Sequence, residues 1–401
     1  MVLEKSSSQR RYDLDWLRVY AILAVFIFHS SRFFDTDNWH IKNPTTYFGA
    51  QVWITFLANW LMPFIFMISG ASLYYALGSR GARKFMEDKV KRLLVPLIVG
   101  IFTHIMFQVY LERLIHRQFF GSFFEFIPHY FDGWYGFGGN FAWMGLHLWY
   151  LLILFLFSLL FYPLFRWLSA GIDRQVLDKF GTFLSLPGMV YILGLPVAGL
   201  LVILDPREII GMRDFGGWPL WNYILFFLYG FIVMTHTELQ KRIQQVRWIS
   251  LAAGVLSFLA LFALWAKKGD PAFGSTRYVQ VFGIFGMSSW CWLLAFFGFG
   301  MKHLNFKTRF MTYANEAVLP FYILHQTILL CLGYFVVRWA IPDLLKYVLI
   351  STSSFALIIL LYEYLVRRID ILRALFGMKP KTKHQTVDQV AGQYGRKKVK
   401  A

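Results

Sequence analysis

Ten segments of the chain are apolar over lengths typical of membrane-spanning helices. A hydrocarbon core of about 30 Å is crossed by about 20 apolar residues in an α-helix. We therefore predict an all-α fold, a polytopic membrane bundle of about ten transmembrane helices. The fifth segment is rich in proline and glycine and is the weakest of the ten. The predicted spans are residues 15–35, 52–77, 93–112, 144–166, 186–204, 219–236, 248–266, 278–301, 313–336 and 344–366.

These spans divide the chain into three parts. Residues 1–14 form a short N-terminus, residues 15–366 form the transmembrane domain, and residues 367–401 form a basic tail. The tail is polar and poor in apolar residues, so we predict that it is disordered. The composition agrees with a membrane protein, since 57% of the residues are hydrophobic and only 15% are charged. A soluble domain carries about 25% charged residues.

The basic residues predict the orientation. Of the 40 lysine and arginine residues, 28 lie in the two termini and the even-numbered loops, and 11 lie in the odd-numbered loops. Cytoplasmic loops carry an excess of such residues. We therefore predict that both termini are cytoplasmic. The net charge of +18 lies beside spans and in the tail, which favours contact with anionic lipid and not with nucleic acid.

The first span contains two polar residues on one face. Arg18 and His29 are eleven residues apart, about three helical turns, so their side chains share a face and are separated by about 16.5 Å along the axis. Arg18 alone could be an anchor at the inner membrane surface, paired with Asp15 one turn earlier. Ionisable residues inside membranes nonetheless point to function.

The ninth span carries a second polar group. Its polar residues are Asn315, Glu316, Tyr322, His325 and Gln326. Because both helices run from inside to outside, His325 is predicted at nearly the depth of His29, and Glu316 near that of Arg18. One polar chamber reached from outside explains the matched depths. The alternative is two unrelated hydrogen bonds between helices, which membrane bundles also use.

Two further regions contain candidate binding residues. Lys89 and Arg92 precede the third span, where they are either inner-surface anchors or, with Arg18, cations for a phosphorylated ligand. The segment before the fourth span reads HYFDGWYGFGGNFAWMGLHLWYLL. Its aromatic residues form either an interfacial belt or a stacking surface for sugar rings. The candidates for sugar contacts there are Trp134, His147, Trp149 and Tyr150.

These segments together resemble the integral-membrane acyltransferase-3 family, and most closely its glucan-succinylating branch. The resemblance covers residues 11 to about 366. It rests on the spacing of Arg18 and His29, the basic residues before the third span, HLWYLLILF in the fourth span and LPFYILHQT in the ninth. The family often has an arginine where this chain has Lys89. Lysine retains the positive charge but lacks the bidentate fork of arginine.

The resemblance implies O-acylation of a glycan on the outer face of a bacterial inner membrane. Acyl-coenzyme A made in the cytoplasm is the implied co-substrate, the acyl group being acetyl or succinyl, with no bound cofactor and no metal. His29 is the expected general base, and a covalent acyl-histidine stays open. Tyr322, His325 or Gln326 would then stabilise the oxyanion. Donor binding is expected from Arg18, Lys89, Arg92 and Glu316.

A second class of function is compatible with the pattern. A ten-span protein with histidines at mid-depth could be a proton-coupled transporter or a flippase for a glycan precursor. Such carriers often contain inverted repeats, and the sequence shows no convincing one. The acyltransferase is therefore the favoured hypothesis.

Overall fold

The fold is an all-helical bundle. A computed structural model describes residues 10–77, 81–168, 173–265, 269 and 271–380. Within these ranges the structure contains α-helices, short 3₁₀- and π-helical turns and no β-strand. The α-helices are α1 Tyr12–Ser31, α2 Phe48–Leu77, α3 Ala82–Lys89, α4 Val95–Phe102, α5 His104–Ile115, α6 Phe123–His129, α7 Trp149–Leu168, α8 Asp173–Ser185, α9 Gly194–Ile203, α10 Leu220–Thr235, α11 Thr237–Trp265, α12 Thr276–His303, α13 Arg309–Val336, α14 Asp343–Leu361 and α15 Asp370–Leu375.

All ten predicted spans coincide with helices, although they differ in regularity. Over the described ranges, seven helices are long and apolar enough to cross a membrane, and two bent pairs raise that number to nine. The remaining predicted span corresponds to α10, which has only 16 residues. The prediction of a polytopic helical membrane bundle is confirmed, whereas the count of ten full-length spans is higher than the structure supports.

The two bent pairs have local causes. The third predicted span bends by 42° between α4 and α5, where Thr103 has non-helical dihedral angles and its hydroxyl donates back to the carbonyl of Val99 at 2.6 Å. Such back-bonding often bends helices. The second pair, Gln175–Ser185 and Met189–Ile203, bends by 113° at the start of the fifth predicted span, where Pro187 is followed by Gly188 with φ of 81°. Proline and left-handed glycine both end helices.

Helix α1 lies inside the bundle and contacts α2, α12, α13 and α14. Close packing around it depends on small residues. A Cβ on Gly70 of α2 would lie 1.9 Å from the carbonyl oxygen of Phe227, and one on Gly230 of α10 would lie 1.9 Å from that of Met67. Small residues allow the backbones of membrane helices to approach closely. Helices α2 and α10 are therefore closely packed against each other, and α1 packs on α2.

The predicted basic tail is only partly within the described residues. Its first part, 367–380, contains helix α15, in which Arg373 is buried and donates to Glu316 Oε1 at 3.0 Å. Residues 381–401 lie outside the described ranges. So do residues 1–9 of the predicted N-terminus.

Candidate active site

The segment between α1 and α2, residues 32–47, folds over the end of α1, and we call it the strap. Its centre is the buried carboxylate of Asp35, which pairs with both Arg32 and Lys42. Burial raises the pKa of Asp35 and lowers that of Lys42, so each charge needs its partner in order to persist. These ion pairs hold Trp39 and His40 over the bundle interior.

His29 and His325 lie side by side beneath the strap. His325 Nε2 is 3.0 Å from His29 Nδ1. The indole of Trp39 stacks on the His29 ring, with centroids 6.1 Å apart and planes 24° apart. The matched depth predicted for the two histidines from sequence thus corresponds to a direct contact between α1 and α13.

The hydrogen bonds of this pair fix the protonated nitrogens. His29 Nδ1 is 3.1 Å from the carbonyl oxygen of Val25, and His325 Nδ1 is 2.5 Å from that of Tyr322. A carbonyl oxygen only accepts, so in the neutral rings both Nδ1 atoms carry hydrogen. The single hydrogen on His29 Nδ1 is then shared between the carbonyl oxygen of Val25 and His325 Nε2, which both accept. The lone pair of His29 is therefore on Nε2, as a general base requires.

A second polar chain begins at His40. Its Nδ1 donates to Glu112 of α5 in a short contact, and its Nε2 lies 3.3 Å from Gln326 Nε2. Gln326 Nε2 also donates to Gln108 Oε1 at 3.2 Å. Gln108 Nε2 in turn donates to Thr327 Oγ1 at 2.5 Å. The strap is thereby connected to the same stretch of α13 that carries His325.

The carboxylate of Glu112 is held from a third side by the aromatic segment before α7. Tyr135 donates its hydroxyl to Glu112 Oε2 at 2.8 Å, and Arg113 donates to Oε1 at 3.1 Å. Arg113 also donates to Asn140 Oδ1 at 2.7 Å. Burial and the neighbouring carboxylate raise the pKa of Tyr135, so its hydroxyl stays a donor. The Gly-rich aromatic segment is thus linked to His40.

A cavity of about 250 Å³ opens near the Arg18 end of α1. Arg18, Lys89 and Arg92 line it, together with Tyr150 and Tyr322. The Arg18 guanidinium donates to Ser72 Oγ at 2.8 Å and to Asn315 Oδ1 at 3.3 Å. The other residues that line the cavity are Ala21, Ile22, Ile65, Ile68, Ser69, Ala76, Phe85, Asp88, Leu93, Leu151, Leu154, Val318 and Leu319.

The cavity extends from the cationic residues along α1 and α13 as far as Tyr322. Asn315 and Tyr322 both border it and are seven residues apart on α13, about 10 Å along the axis. Tyr322 is one turn before His325. Arg92 lies in the π-helical turn Val90–Leu94, an irregularity that is frequent at functional sites. The three cations predicted to bind a phosphorylated ligand therefore line one cavity that extends toward His325.

Four predicted site residues lie elsewhere than expected. Glu316 does not line the cavity and instead pairs with Arg373 at 3.0 Å and Arg367 at 3.7 Å. Trp149 packs among aromatic rings, with its ring centroid 5.5 Å from that of Phe215. Tyr150 and His147 lie inside the bundle because α7 and the preceding 3₁₀ turn bury them. Tyr150 borders the cavity, and His147 Nε2 is 3.2 Å from the carbonyl oxygen of Ile323.

Of the four residues predicted to contact sugar, only Trp134 is strongly exposed, at 57%, and its ring lies 5.5 Å from that of Trp143. The predicted oxyanion donors are also engaged. Tyr322 donates to the carbonyl of His147, and both amide hydrogens of Gln326 are used. His325 donates through Nδ1 and accepts through Nε2. In this arrangement none of the three has an unused donor.

Sequence reasoning missed His40, Glu112, Gln108 and Trp39. His40 and Trp39 lie in a loop where no periodicity points to them. Glu112 and Gln108 are four residues apart on α5, so they share a helix face. A carboxylate and an amide on one face of a predicted span are a detectable signal, since ionisable groups inside a membrane point to function.

The chain belongs to the acyltransferase-3 family, whose acyltransferase domain matches residues 11–363. It is similar to glucans biosynthesis protein C of Salmonella paratyphi B, at 25% identity over 94% of this chain and 97% of that protein. The protein of the same name from Salmonella enteritidis is also 25% identical over the same shares, and one from Salmonella paratyphi A is 24% identical. No solved structure matches the chain.

The resemblance seen in the sequence is therefore confirmed. The protein is a multi-pass membrane acyltransferase that transfers groups other than amino-acyl groups.

Proposed function

We propose that the protein is an inner-membrane O-acyltransferase. It moves an acetyl or succinyl group from cytoplasmic acyl-coenzyme A to a hydroxyl of a glucan or another glycan outside the cytoplasm. The names of its relatives, glucans biosynthesis protein C, support a glucan acceptor. The distribution of basic residues supports cytoplasmic termini and a donor that arrives from inside.

One observation carries the proposal. The cavity lined by Arg18, Lys89 and Arg92 runs along α1 and α13 toward the His29–His325 pair. Phosphate groups of the donor would bind the three cations. The pantetheine arm would lie along the α1 face, which spans about 16.5 Å between Arg18 and His29. This separation is of the order of the extended arm, so the thioester would reach the histidine pair.

The reaction then requires one proton acceptor. The acceptor hydroxyl gives its proton to Nε2 of neutral His29 as its oxygen bonds to the thioester carbon. The carbon–sulfur bond breaks, and the thiolate of coenzyme A takes the proton from His29. His325 accepts from His29 Nδ1 and so stabilises the imidazolium formed on the way. The products are a glycan ester and free coenzyme A.

The exposed ring of Trp134 and the neighbouring Trp143 suit a sugar face on the outer side of this site. Aromatic rings present a flat apolar surface with little rotational freedom to lose. Tyr135, which lies beside Trp134, is the residue that reaches Glu112. Binding of a glycan at these tryptophans would therefore place it next to the strap.

The test uses purified protein in lipid nanodiscs with a panel of acyl-coenzyme A donors. Release of free coenzyme A is followed with a thiol reagent, with and without a glucan oligosaccharide, and the ester is identified by mass spectrometry. We expect release with one donor and its loss in His29→Ala. His303→Ala, a histidine at the end of α12, is the matched control. Exchange of substrate without a new ester would overturn the proposal in favour of transport.

A further inference from the structure

The polar chain from Glu112 to Gln326 has no role in the reaction as described above. Its members are buried, since Glu112 is 6% exposed, Gln108 0% and Gln326 2%. Burying a carboxylate and two amides in a membrane bundle is costly unless each is hydrogen-bonded. In this chain of hydrogen bonds, His40 supplies the partner for both Glu112 and Gln326. His40 belongs to the strap and not to a helix. These hydrogen bonds therefore fix the orientation of the Gln326 side-chain amide.

The direction of each hydrogen bond follows from Glu112. Tyr135 and Arg113 both donate to its carboxylate, so the carboxylate stays an acceptor and His40 Nδ1 must carry hydrogen. Neutral His40 then has its lone pair on Nε2, which accepts from Gln326 Nε2 at 3.3 Å. The second amide hydrogen of Gln326 goes to Gln108 Oε1 at 3.2 Å.

This arrangement decides which end of the Gln326 amide is available. Both N–H groups of Gln326 are used in hydrogen bonds to His40 and Gln108. Its Oε1 has no hydrogen-bond partner within the described residues. Gln326 Nε2 lies 3.3 Å from His40 Nε2, and the ring of Trp39 packs against both His40 and His29, with centroid distances of 5.6 and 6.1 Å. The free oxygen is therefore a hydrogen-bond acceptor on a side chain of the cluster that packs against His29, the opposite of the donor role expected from sequence.

We propose that His40, held by Glu112, is a positioning residue that turns the Gln326 amide so that Oε1 accepts a hydrogen bond from a second hydroxyl of the acceptor. The proposal rests on the proposed acyl transfer. The attacking hydroxyl gives its own hydrogen to His29, so Oε1 must bind a different one. The acceptor class is therefore a molecule with neighbouring hydroxyls, such as a sugar ring.

The proposal separates two reactions of the same enzyme. Water has no second hydroxyl, so hydrolysis of the donor does not depend on the orientation of Gln326, whereas transfer to a sugar does. A residue that only stabilised the fold would affect both reactions equally. The ratio of transfer to hydrolysis therefore distinguishes positioning from general structural support.

The experiment compares wild type, His40→Leu, His40→Gln, Gln326→Ala and the double variant His40→Leu/Gln326→Ala. Each is measured for hydrolysis of the active acyl-coenzyme A and for transfer to a glucan oligosaccharide. Glutamine at position 40 offers an NH₂ donor group and a carbonyl acceptor but does not titrate, so it tests positioning alone. His303→Ala is again the matched control.

We expect His40→Leu to lower kcat/KM for transfer about 10-fold, the effect of one hydrogen bond, with hydrolysis changed less than about 2-fold. His40→Gln should recover most of the transfer. The double variant should be no worse than Gln326→Ala, because His40 acts through Gln326. Equal losses of transfer and hydrolysis, additive effects, or a His40→Gln variant as impaired as His40→Leu would each overturn the proposal.

Failure of the proposed function gives a different result. A wild-type protein that neither hydrolyses nor transfers any acyl group of the panel overturns the acyltransfer proposal and the positioning role with it. A wild-type protein that transfers normally, beside a His40→Leu variant that does the same, overturns only the positioning role.

Discussion

His29 of α1 and His325 of α13 share a hydrogen bond of 3.0 Å although they are 296 residues apart in the chain. The bond joins the first predicted span to the ninth. Each ring is oriented by a carbonyl of its own helix, so the pair is built by two helix registers and by their packing. A shift of either helix by one residue would turn its ring away by about 100°. The packing of α1 against α13 thus sets the geometry of the proposed base.

Loss of the His29 ring should lower the rate of acyl transfer more than loss of the His325 ring. We expect His29→Ala to lower the rate of acyl transfer by about 10²–10⁴-fold, the usual effect of a general base. His325→Ala should cost less, about 10-fold, because it removes only the acceptor that stabilises charged His29. Steady-state rates in nanodiscs measure both. An equal or larger loss in His325→Ala would assign the base to His325.

The pH dependence follows from the same role. A protonated imidazole cannot accept the hydroxyl proton, so the rate of transfer should be high at alkaline pH and fall on acidification. An ordinary histidine has a pKa of about 6.5, and the midpoint of the fall reports the actual pKa of the essential group. The measurement is kcat/KM from pH 5 to 8 in nanodiscs. A rate that rises on acidification would contradict the assignment of a histidine base.

The sequence predicted these residues because helix geometry is regular. The shared face of Arg18 and His29 follows from 3.6 residues per turn alone, and the structure places Arg18 on the cavity and His29 at the histidine pair. The depth of His325 follows from the same arithmetic applied to a second span. Residues on long helices were therefore predictable. Lys89 and Arg92, at the end of α3 and in the π-helical turn, were predicted instead from the basic charge that precedes the third span.

The cationic end of the cavity should determine affinity for the donor. We expect Arg18→Ala to raise KM for acyl-coenzyme A about 10-fold or more, since charge-assisted hydrogen bonds to phosphate are lost, with a smaller effect on kcat. Lys89→Arg should lower KM or leave it unchanged, because arginine binds phosphate bidentately. Lys302→Ala, an exposed lysine at the end of α12, is the matched control. An effect of Arg18→Ala on kcat alone would contradict a donor site.

Residues in loops were not predictable in the same way. His40 and Trp39 belong to the strap, whose path depends on ion pairs of Asp35 with Arg32 and Lys42, and no periodic pattern records such contacts. Glu316 shows the opposite error. It lies at the expected depth, but its partners come from the segment after α14, so its carboxylate is neutralised by Arg367 and Arg373 instead of facing the cavity.

The close packing of α2 against α10 gives a test of the fold itself. Gly70→Ala would place a Cβ 1.9 Å from the carbonyl oxygen of Phe227, a clash that only backbone movement relieves. We expect a loss of about 1–3 kcal/mol and a lower Tm in detergent, followed by static light scattering. Gly49→Ala, in the same helix with nothing within 4 Å of the added carbon, is the matched control. Equal Tm values for the two variants would contradict this packing.

The strap offers the last prediction, because its two acidic residues differ sharply in environment. Asp35 is fully buried between Arg32 and Lys42, whereas the Asp37 side chain is 58% exposed and 3.5 Å from the same Arg32. Asp35→Asn leaves two cations without their carboxylate, a loss of roughly 3 kcal/mol for a buried pair. Asp37→Asn removes an exposed pair worth about 0–1 kcal/mol.

We therefore expect Asp35→Asn to release the strap and Asp37→Asn to leave it in place. Hydrogen exchange of residues 32–47, measured by mass spectrometry in nanodiscs, should accelerate only in Asp35→Asn. The transfer rate should fall in the same variant, because Trp39 then leaves the His29 ring. A variant with faster exchange but an unchanged transfer rate would show that the strap covers His29 without contributing to its reactivity.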